Sequence, residues 1–365
     1  MSNSSWTPNI GAGVAVAVAV VSVVAAVLVM SMQDDPIEQP SDSLAMTPTF
    51  SEEATTTQAP PGPVLDPSWR IDAEAVYGRN FAAFRSPAAN LQFDSSVTGV
   101  IDGDDVLVTA VGLPNPRSYS VDAIEFAALD ADDGSVRWKK SPGAVDECAS
   151  VPVQSEIVCL DSYSDVPSIV RIGVDDGEAR RTPMPEAWFA YAVESDGSSV
   201  FVLEGNPEDG ESVLHGGSID ALDRMWSRPI TSFAGWDGVE GPLIHVSDGR
   251  GLVTLGGEAT FFDPRTGTPF EGLELLPDAT AVAEDGAEVW KLREPYATET
   301  SVGDTVYSFE EDALVAATAS NDVRWRWPLP KRPDGFTESG SIAQTRSGVF
   351  FLGTDSMVRL ESVPS

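Results

Sequence analysis

Histidine and cysteine are almost missing from this chain, with two of each in 365 residues, and cations are scarce, with 22 Lys and Arg against 57 Asp and Glu. A formal net charge of −35 excludes partners bound through their phosphates, because nucleic-acid binding needs a cationic footprint that this surface does not have. The two histidines, His215 and His245, fall in different segments beside small or apolar residues and read as structural or surface groups. No Gly-x-Ser-x-Gly elbow and no phosphate-binding Gly loop with a Lys occurs. Carboxylates are so abundant that a glycosidase-like pair cannot be singled out. No catalytic, cofactor-binding or metal-ligating residue is assigned. A hydrophobic content of 42% excludes a wholly disordered chain.

Charge is also lacking locally. No ionisable side chain precedes Asp34, and Ile10 to Met32 is an apolar run of 23 residues broken only by Ser22 and Ser31. As a helix it would be roughly 34 Å long, enough to cross a hydrocarbon core of about 30 Å. Residues 1–33 are therefore predicted to be a tail and transmembrane helix. Met1 to Asn9 has no basic n-region, and no Cys follows the run, so an uncleaved signal anchor is expected over a cleaved peptide or a lipid anchor. The first basic residue is Arg70, so Lys and Arg say nothing about orientation.

The cysteines bear on orientation instead. Cys148 and Cys159 flank two extended stretches around a polar turn at Gln154 and Ser155, a hairpin that would set them opposite or diagonal to one another. Two buried thiols in neighbouring strands are the alternative. A disulfide is expected, and it would place the bulk of the chain outside the cytoplasm. A Cys-x11-Cys pair without His partners is a poor metal site.

Residues 34–67 hold seven Pro, seven acids and no base, the composition of an extended, solvated tether spanning about 30 Å. Removing its charge leaves −28 on residues 70–365, so most of the acidity belongs to the folded part.

That part, residues 68–365, reads as all-β. Short alternating runs at Val106, Val200, Leu252 and Thr305 follow turns rich in Asp and Gly, and no convincing amphipathic helix follows residue 70. The runs repeat. Phe126-Ala-Ala-Leu-Asp-Ala-Asp-Asp-Gly-Ser-Val-Arg-Trp138 has counterparts ending at Arg181, Trp226, Glu271 and Trp325, separated by 43, 45, 45 and 54 residues. A period of about 40 to 50 with about four strands per unit is a propeller signature. The 296 residues from Arg70 onward hold six or seven such periods, nearer seven. Strands within Ser341 to Val363, joined by the segment near Trp69 to Asn80, are expected to close the ring. The Trp residues read as packing between blades. Asp130-Ala-Asp-Asp-Gly134 lacks the spacing of a calcium loop and reads as a plain turn.

The unit Asp-x-x-[Asp/Thr]-Gly-x-x-x-Trp after an alternating strand resembles the PQQ-like (pyrroloquinoline quinone) repeat family of β-propellers over roughly Val97 to Ser365. The resemblance implies the fold more than any activity. Quinone-dependent enzymes of that superfamily carry a vicinal Cys pair and a calcium ion on a larger propeller; the cysteines here stand eleven positions apart, which speaks against PQQ binding. Among noncatalytic relatives the fold resembles the propeller lipoprotein of the outer-membrane barrel-assembly machinery, a scaffold for partner proteins, but this chain has an apolar span, no lipidated Cys and a long acidic tether. The expectation is a single-pass membrane protein whose C-terminal domain lies outside the cytoplasm and binds a protein or envelope component. An envelope enzyme acting on glycan or peptide through carboxylates at a channel mouth is the alternative from another class. Acidity as a solubility adaptation, with four Lys against eighteen Arg, stays open beside both.

Overall fold

Wherever an Asp–Gly turn separates two alternating runs, the chain folds back on itself, and the result is a succession of antiparallel meanders. The structure is a computed structural model that describes residues 63–89, 97–115, 121–185, 189–206, 211–231, 242–255, 258–276, 280–291, 299–310, 312–332 and 335–361. The expected membrane span and nearly all of the tether lie outside these residues. Among those described, no helix is long and apolar enough to cross a membrane.

Seven sheets follow one another along the described chain. Sheet I contains Ala83–Arg85, Val106–Pro114, Val121–Asp130 and Val136–Lys140, with Ile101–Asp102 paired beside Val106–Pro114. Sheet II runs from Glu147–Cys148 through Glu156–Asp161 and Ser168–Gly173 to Ala179–Pro183. Sheet III is Ala190–Ser195, Val200–Asn206, Glu211–Gly217 and Trp226–Thr231. Sheets IV and V show three strands each, Leu243–Ser247, Arg250–Leu255 and Glu258–Phe262, then Leu273–Leu275, Thr280–Ala283 and Glu288–Lys291. Sheet VI is Glu299–Val302, Thr305–Phe309, Ala313–Thr318 and Val323–Pro328. Sheet VII takes Gly340–Gln344, Val349–Gly353 and Ser356–Glu361 from the end of the chain, and its fourth strand, Trp69–Asp72, from the beginning. Two short helical turns interrupt the strands: Ala73–Tyr77 is helical, stopped by Gly78 in the left-handed conformation, and Leu222–Arg224 forms a 3₁₀ turn. Five residues are too few to carry a helical hydrophobic period.

The core is divided among the joints between sheets. Separate apolar clusters bridge I with II, II with III, III with IV, IV with V, and VI with VII, and one more joins VII back to I through Trp69, Phe350 and Met357 against Leu107 and Leu129. Sheets I to V pack in chain order, VI packs on VII and VII on I, the propeller-type arrangement that the repeat period predicts.

Three of the joints also carry a local fastening. The Trp138 ring, on the outer strand of sheet I, lies over Gly177 in the last turn of sheet II and donates its Nε1–H to Val174 O at 2.7 Å. Trp69 does the same to sheet I, covering Gly134 and donating to Ala131 O at 3.1 Å, and Trp226 of sheet III covers Gly267 beyond sheet IV. Gly177, Gly134 and Gly267 have φ of +68, +74 and +67; the latter two close turns that start at Asp130 and Asp263, Gly177 one that starts at Gly173, and a Cβ on any of them would lie under 3 Å from the ring. The sequence places the ring between blades; the structure adds that the ring of one repeat is seated on the glycine of the next.

Candidate functional site

The last strand of sheet VII, the short helix and the first strand of sheet I converge on a cavity of about 970 Å³. That is the upper end of the volumes usual for ligand sites, roughly 300–1,000 Å³. Its position follows from how the chain closes. Trp69–Asp72 leaves sheet VII, the helix Ala73–Tyr77 carries the chain across, and Phe81 leads into Ala83–Arg85. The opposite wall is the segment around Lys331, Arg332 and Glu338 with the turn at Asp355.

The lining does not share the charge balance of the chain. Arg70, Arg85, Lys331 and Arg332 supply four cations, and Asp72, Glu74, Glu338 and Asp355 four carboxylates, whereas the whole chain has 22 against 57. Most of these groups are engaged. Arg70 pairs with Asp72 at 2.9 Å, and Arg332 Nε stands 3.6 Å from Asp355. Glu338 is 2% exposed; its carboxylate accepts from the backbone N–H groups of Asp355 and Ser356 at 2.6 and 2.7 Å and from Ser356 Oγ at 2.8 Å. Burial pushes its pKa up, and these hydrogen bonds oppose the shift. Glu338 thus pins the turn that presents Asp355.

Two residues at this site break ordinary rules. Phe81 is 80% exposed and has φ +66, a region bulky residues avoid; its N–H donates to Glu74 Oε1 at 2.7 Å, which holds the turn. Arg85 is 7% exposed, yet its guanidinium makes one hydrogen bond to the described residues, Nη1 to Phe84 O at 2.7 Å, and Nε has no acceptor. Burial lowers its pKa, and the negative charge of Asp355 partly restores it. Neither residue is among the sequence-predicted sites. The available signal for Arg85 was an Arg ending the apolar run Ala82-Ala83-Phe84 in a chain poor in cations.

The residues singled out from sequence lie elsewhere. Cys148 and Cys159 form the expected disulfide between directly opposed strand positions, both buried, with Gln154 and Ser155 at φ +53 and +63 in the turn that sets the register. Their cross-strand placement in sheet II does not fit the vicinal pair of a quinone site. His215 lies between Ser227, whose Oγ is 2.8 Å from Nδ1, and Glu204, 3.0 Å from Nε2, and so links three adjacent strands of sheet III. Burial pushes its pKa down against the opposing pull of Glu204. His245 packs on Trp290 with ring centres 5.1 Å apart. Asp130 spends its carboxylate on the N–H groups of Asp132 and Asp133 and on Arg137, whose hydrogen bond is the main reason its pKa is lowered. It closes a turn. Among the described residues no group of three or more His, Cys, Asp or Glu stands together as a metal site would require.

No protein-family model and no curated protein matches the chain. Solved structures similar to it include an oligogalacturonate lyase from Vibrio parahaemolyticus, 11% identical, covering 78% of this chain and 92% of the other with a TM-score of 0.43. The WD40 domain of Neurospora crassa Pan2 is 9% identical, covering 82% and 98% with a TM-score of 0.43. BamB from Moraxella catarrhalis is 14% identical, covering 78% and 92% with a TM-score of 0.35.

Proposed function

We propose that the chain is a membrane-tethered, extracytoplasmic β-propeller of the PQQ-like repeat type, seven-bladed and closed by its N-terminal strand, whose cavity-bearing end binds a protein or envelope component. The observation that carries the binding reading is Phe81. A large apolar ring held in solvent by a left-handed backbone, on the rim of the cavity of about 970 Å³, is the kind of anchor that protein interfaces bury. The rigid joints between sheets support it, since they hold the rim in one geometry. Tethering and location are supported by the uncharged 23-residue run and by the Cys148–Cys159 disulfide, a bond that persists in oxidising compartments.

Replacing Phe81 with a photo-crosslinking phenylalanine analogue in living cells tests the binding face. A discrete adduct is expected at position 81 and none at the exposed control Val166. Equal labelling at both positions removes this reading. Location has its own measurement: Cys148 and Cys159, trapped by alkylation at the moment of lysis, should resist the reagent until reduced, and free thiols would place the domain in a reducing compartment.

A further inference from the structure

A second cavity, of about 280 Å³, lies between sheets I and II. Ala110, Ile124 and Phe126 of sheet I, with Val145 and Cys148 at the start of sheet II, give it apolar walls. Among the described residues no Lys, Arg or His lines it, whereas Asp146 and Glu147 do. Asp146 stands two positions before Cys148 and Asp161 two positions after Cys159. Strand alternation therefore puts both carboxylates on the cystine face, the one packed against sheet I. Asp161 is 2% exposed and paired with Arg181, which also donates to the carbonyls of Pro142 and Ala144. Asp146 has no ion pair among the described residues. Its Oδ2 accepts from the N–H of Ser162 at 2.6 Å; Oδ1 accepts from none of them and is not closed off from solvent. Burial pushes the pKa of Asp146 up, the Ser162 hydrogen bond opposes the shift, and the charge of Asp161 adds to it. Lys139 and Lys140, on the outer strand of sheet I, are committed to Glu125 and Glu178. Two neighbouring carboxylates thus share one guanidinium, and the charge left over belongs to the wall of an apolar cavity.

We propose that this cavity takes an alkylammonium group, its nitrogen held by Asp146 Oδ1 and its carbon chain lying against Ile124, Phe126 and Val145. The volume is slightly below the roughly 300–1,000 Å³ usual for ligand sites, which suits a short methylene chain better than a large ring system. A guanidinium is best held by two parallel acceptors, but Ser162 already occupies one oxygen of Asp146. A single oxygen suits the compact point charge of an ammonium. The hydroxyl oxygens of Ser86 and Ser141, in the same lining, accept from Ala88 N–H at 3.2 Å and Gly143 N–H at 3.4 Å, and each keeps a lone pair for a further ammonium proton. Apolar walls replace none of the oxygen ligands that a hard metal ion would give up on entering. Anions are repelled by Asp146, Asp161 and Glu147. The ammonium belongs either to a small free amine or to a lysine side chain of a polypeptide. This cavity is not the one rimmed by Phe81, and its assignment stands independently of the partner reading.

The test is isothermal titration calorimetry on the full-length protein with n-butylammonium chloride, 1-butanol, sodium butyrate and Nα-acetyl-lysine amide, all at matched ionic strength. Butylammonium is expected to bind saturably and at least about ten-fold tighter than butanol, and butyrate not at all. Acetyl-lysine amide binding tighter than butylammonium by about three-fold or more identifies a polypeptide lysine as the source; any smaller ratio identifies a free amine. Asp146→Asn keeps an acceptor for Ser162 and loses the charge, so it should weaken butylammonium binding at least about ten-fold. Glu274→Gln removes the same charge from an exposed position on sheet V and should change it less than about two-fold. The comparison of butylammonium with butanol is read on the parent protein alone, so it decides the matter should the Asp146 variant not fold. The proposal is overturned if butylammonium does not bind saturably, if butanol or butyrate binds as tightly, or if the Asp146 variant loses no more affinity than the Glu274 variant. An adduct at Phe81 together with a flat titration removes the ammonium site alone, whereas a saturable titration without the adduct removes the partner reading alone.

Discussion

Gly177→Ala isolates the energy of one ring-on-glycine fastening. The new methyl would lie 2.6 Å from Cε3 and 2.8 Å from Cδ2 of Trp138, a ring only 9% exposed and hydrogen-bonded to Val174 O at 2.7 Å. Three costs combine. Holding alanine at φ +68 costs about 1–2 kcal/mol. Pushing the ring away removes a hydrogen bond of about 1 kcal/mol and strains or opens its packing by about 1–2 kcal/mol. The sum is about 3–5 kcal/mol. Gly286→Ala is the control, because Gly286 has φ +79 with nothing within 4 Å of the added carbon, and it should cost the backbone share of about 1–2 kcal/mol alone. Urea unfolding followed by fluorescence reads the difference of about 2–3 kcal/mol as a midpoint gap approaching 1 M, taking a denaturant slope of about 3 kcal/mol per M for a domain of this size. Combining Gly177→Ala with Trp138→Leu should recover at least about 1 kcal/mol as coupling between the two sites. Equal midpoints for the two glycine variants would refute the idea that the ring needs the bare glycine.

Glu194 is 9% exposed and its pKa is pushed up to about 7 by burial, against the pull of hydrogen bonds from Ser195 and Ser150. The folded state therefore binds its proton more tightly than the unfolded state, so stability falls as pH rises from about 4.5 to about 7 and is flat above, a loss of about 3 kcal/mol from this group. Glu194→Gln keeps the acceptor oxygen, and its denaturation midpoint at pH 8 should exceed that of the parent, with this part of the pH slope gone. Replacing both cysteines with Ala opens a bridge eleven residues long in sequence and should cost about 3 kcal/mol in the oxidised protein, while a reductant should act on the parent alone. Arg359→Met severs the bonds from sheet VII to the Asp132 turn of sheet I and to Ser347, and should lower stability by about 2–3 kcal/mol. Calorimetry on the variant at neutral pH checks this, and an unchanged transition would mean that the joint is held by its apolar cluster alone.

The fold was legible where one residue type had one physical use. Asp and Gly at fixed spacing mark turns, and Gln154–Ser155 sets the register that brings Cys148 opposite Cys159. The period was legible for the same reason. It was less informative where side chains changed: Arg181 occupies the Trp position of sheet II but reaches back to Asp161 and to the carbonyls of Pro142 and Ala144. The helix Ala73–Tyr77 is too short for any periodic signal. The cavity was not legible at all. Arg85 and Glu338 are more than 250 positions apart and meet because the chain closes on itself, so their burial is a property of the closure and not of either local sequence. The apolar span and most of the tether lie outside the described residues.

The strand Trp69–Asp72 is synthesised early and paired last. Its partner Arg359 stands 290 positions downstream of Trp69, so at roughly 5–20 residues per second the early strand waits on the order of 15–60 s before Ser356–Glu361 exists to receive it. During that time Trp69 has neither its ladder partner nor the Phe350 side chain it packs against. The fold therefore has a built-in interval in which an apolar strand edge is open at one end of the nascent chain and the last sheet is unmade at the other. A chaperone or translocation factor that holds the region around Trp69 would act on the step that decides whether the ring closes within one chain or joins the open edge of a second.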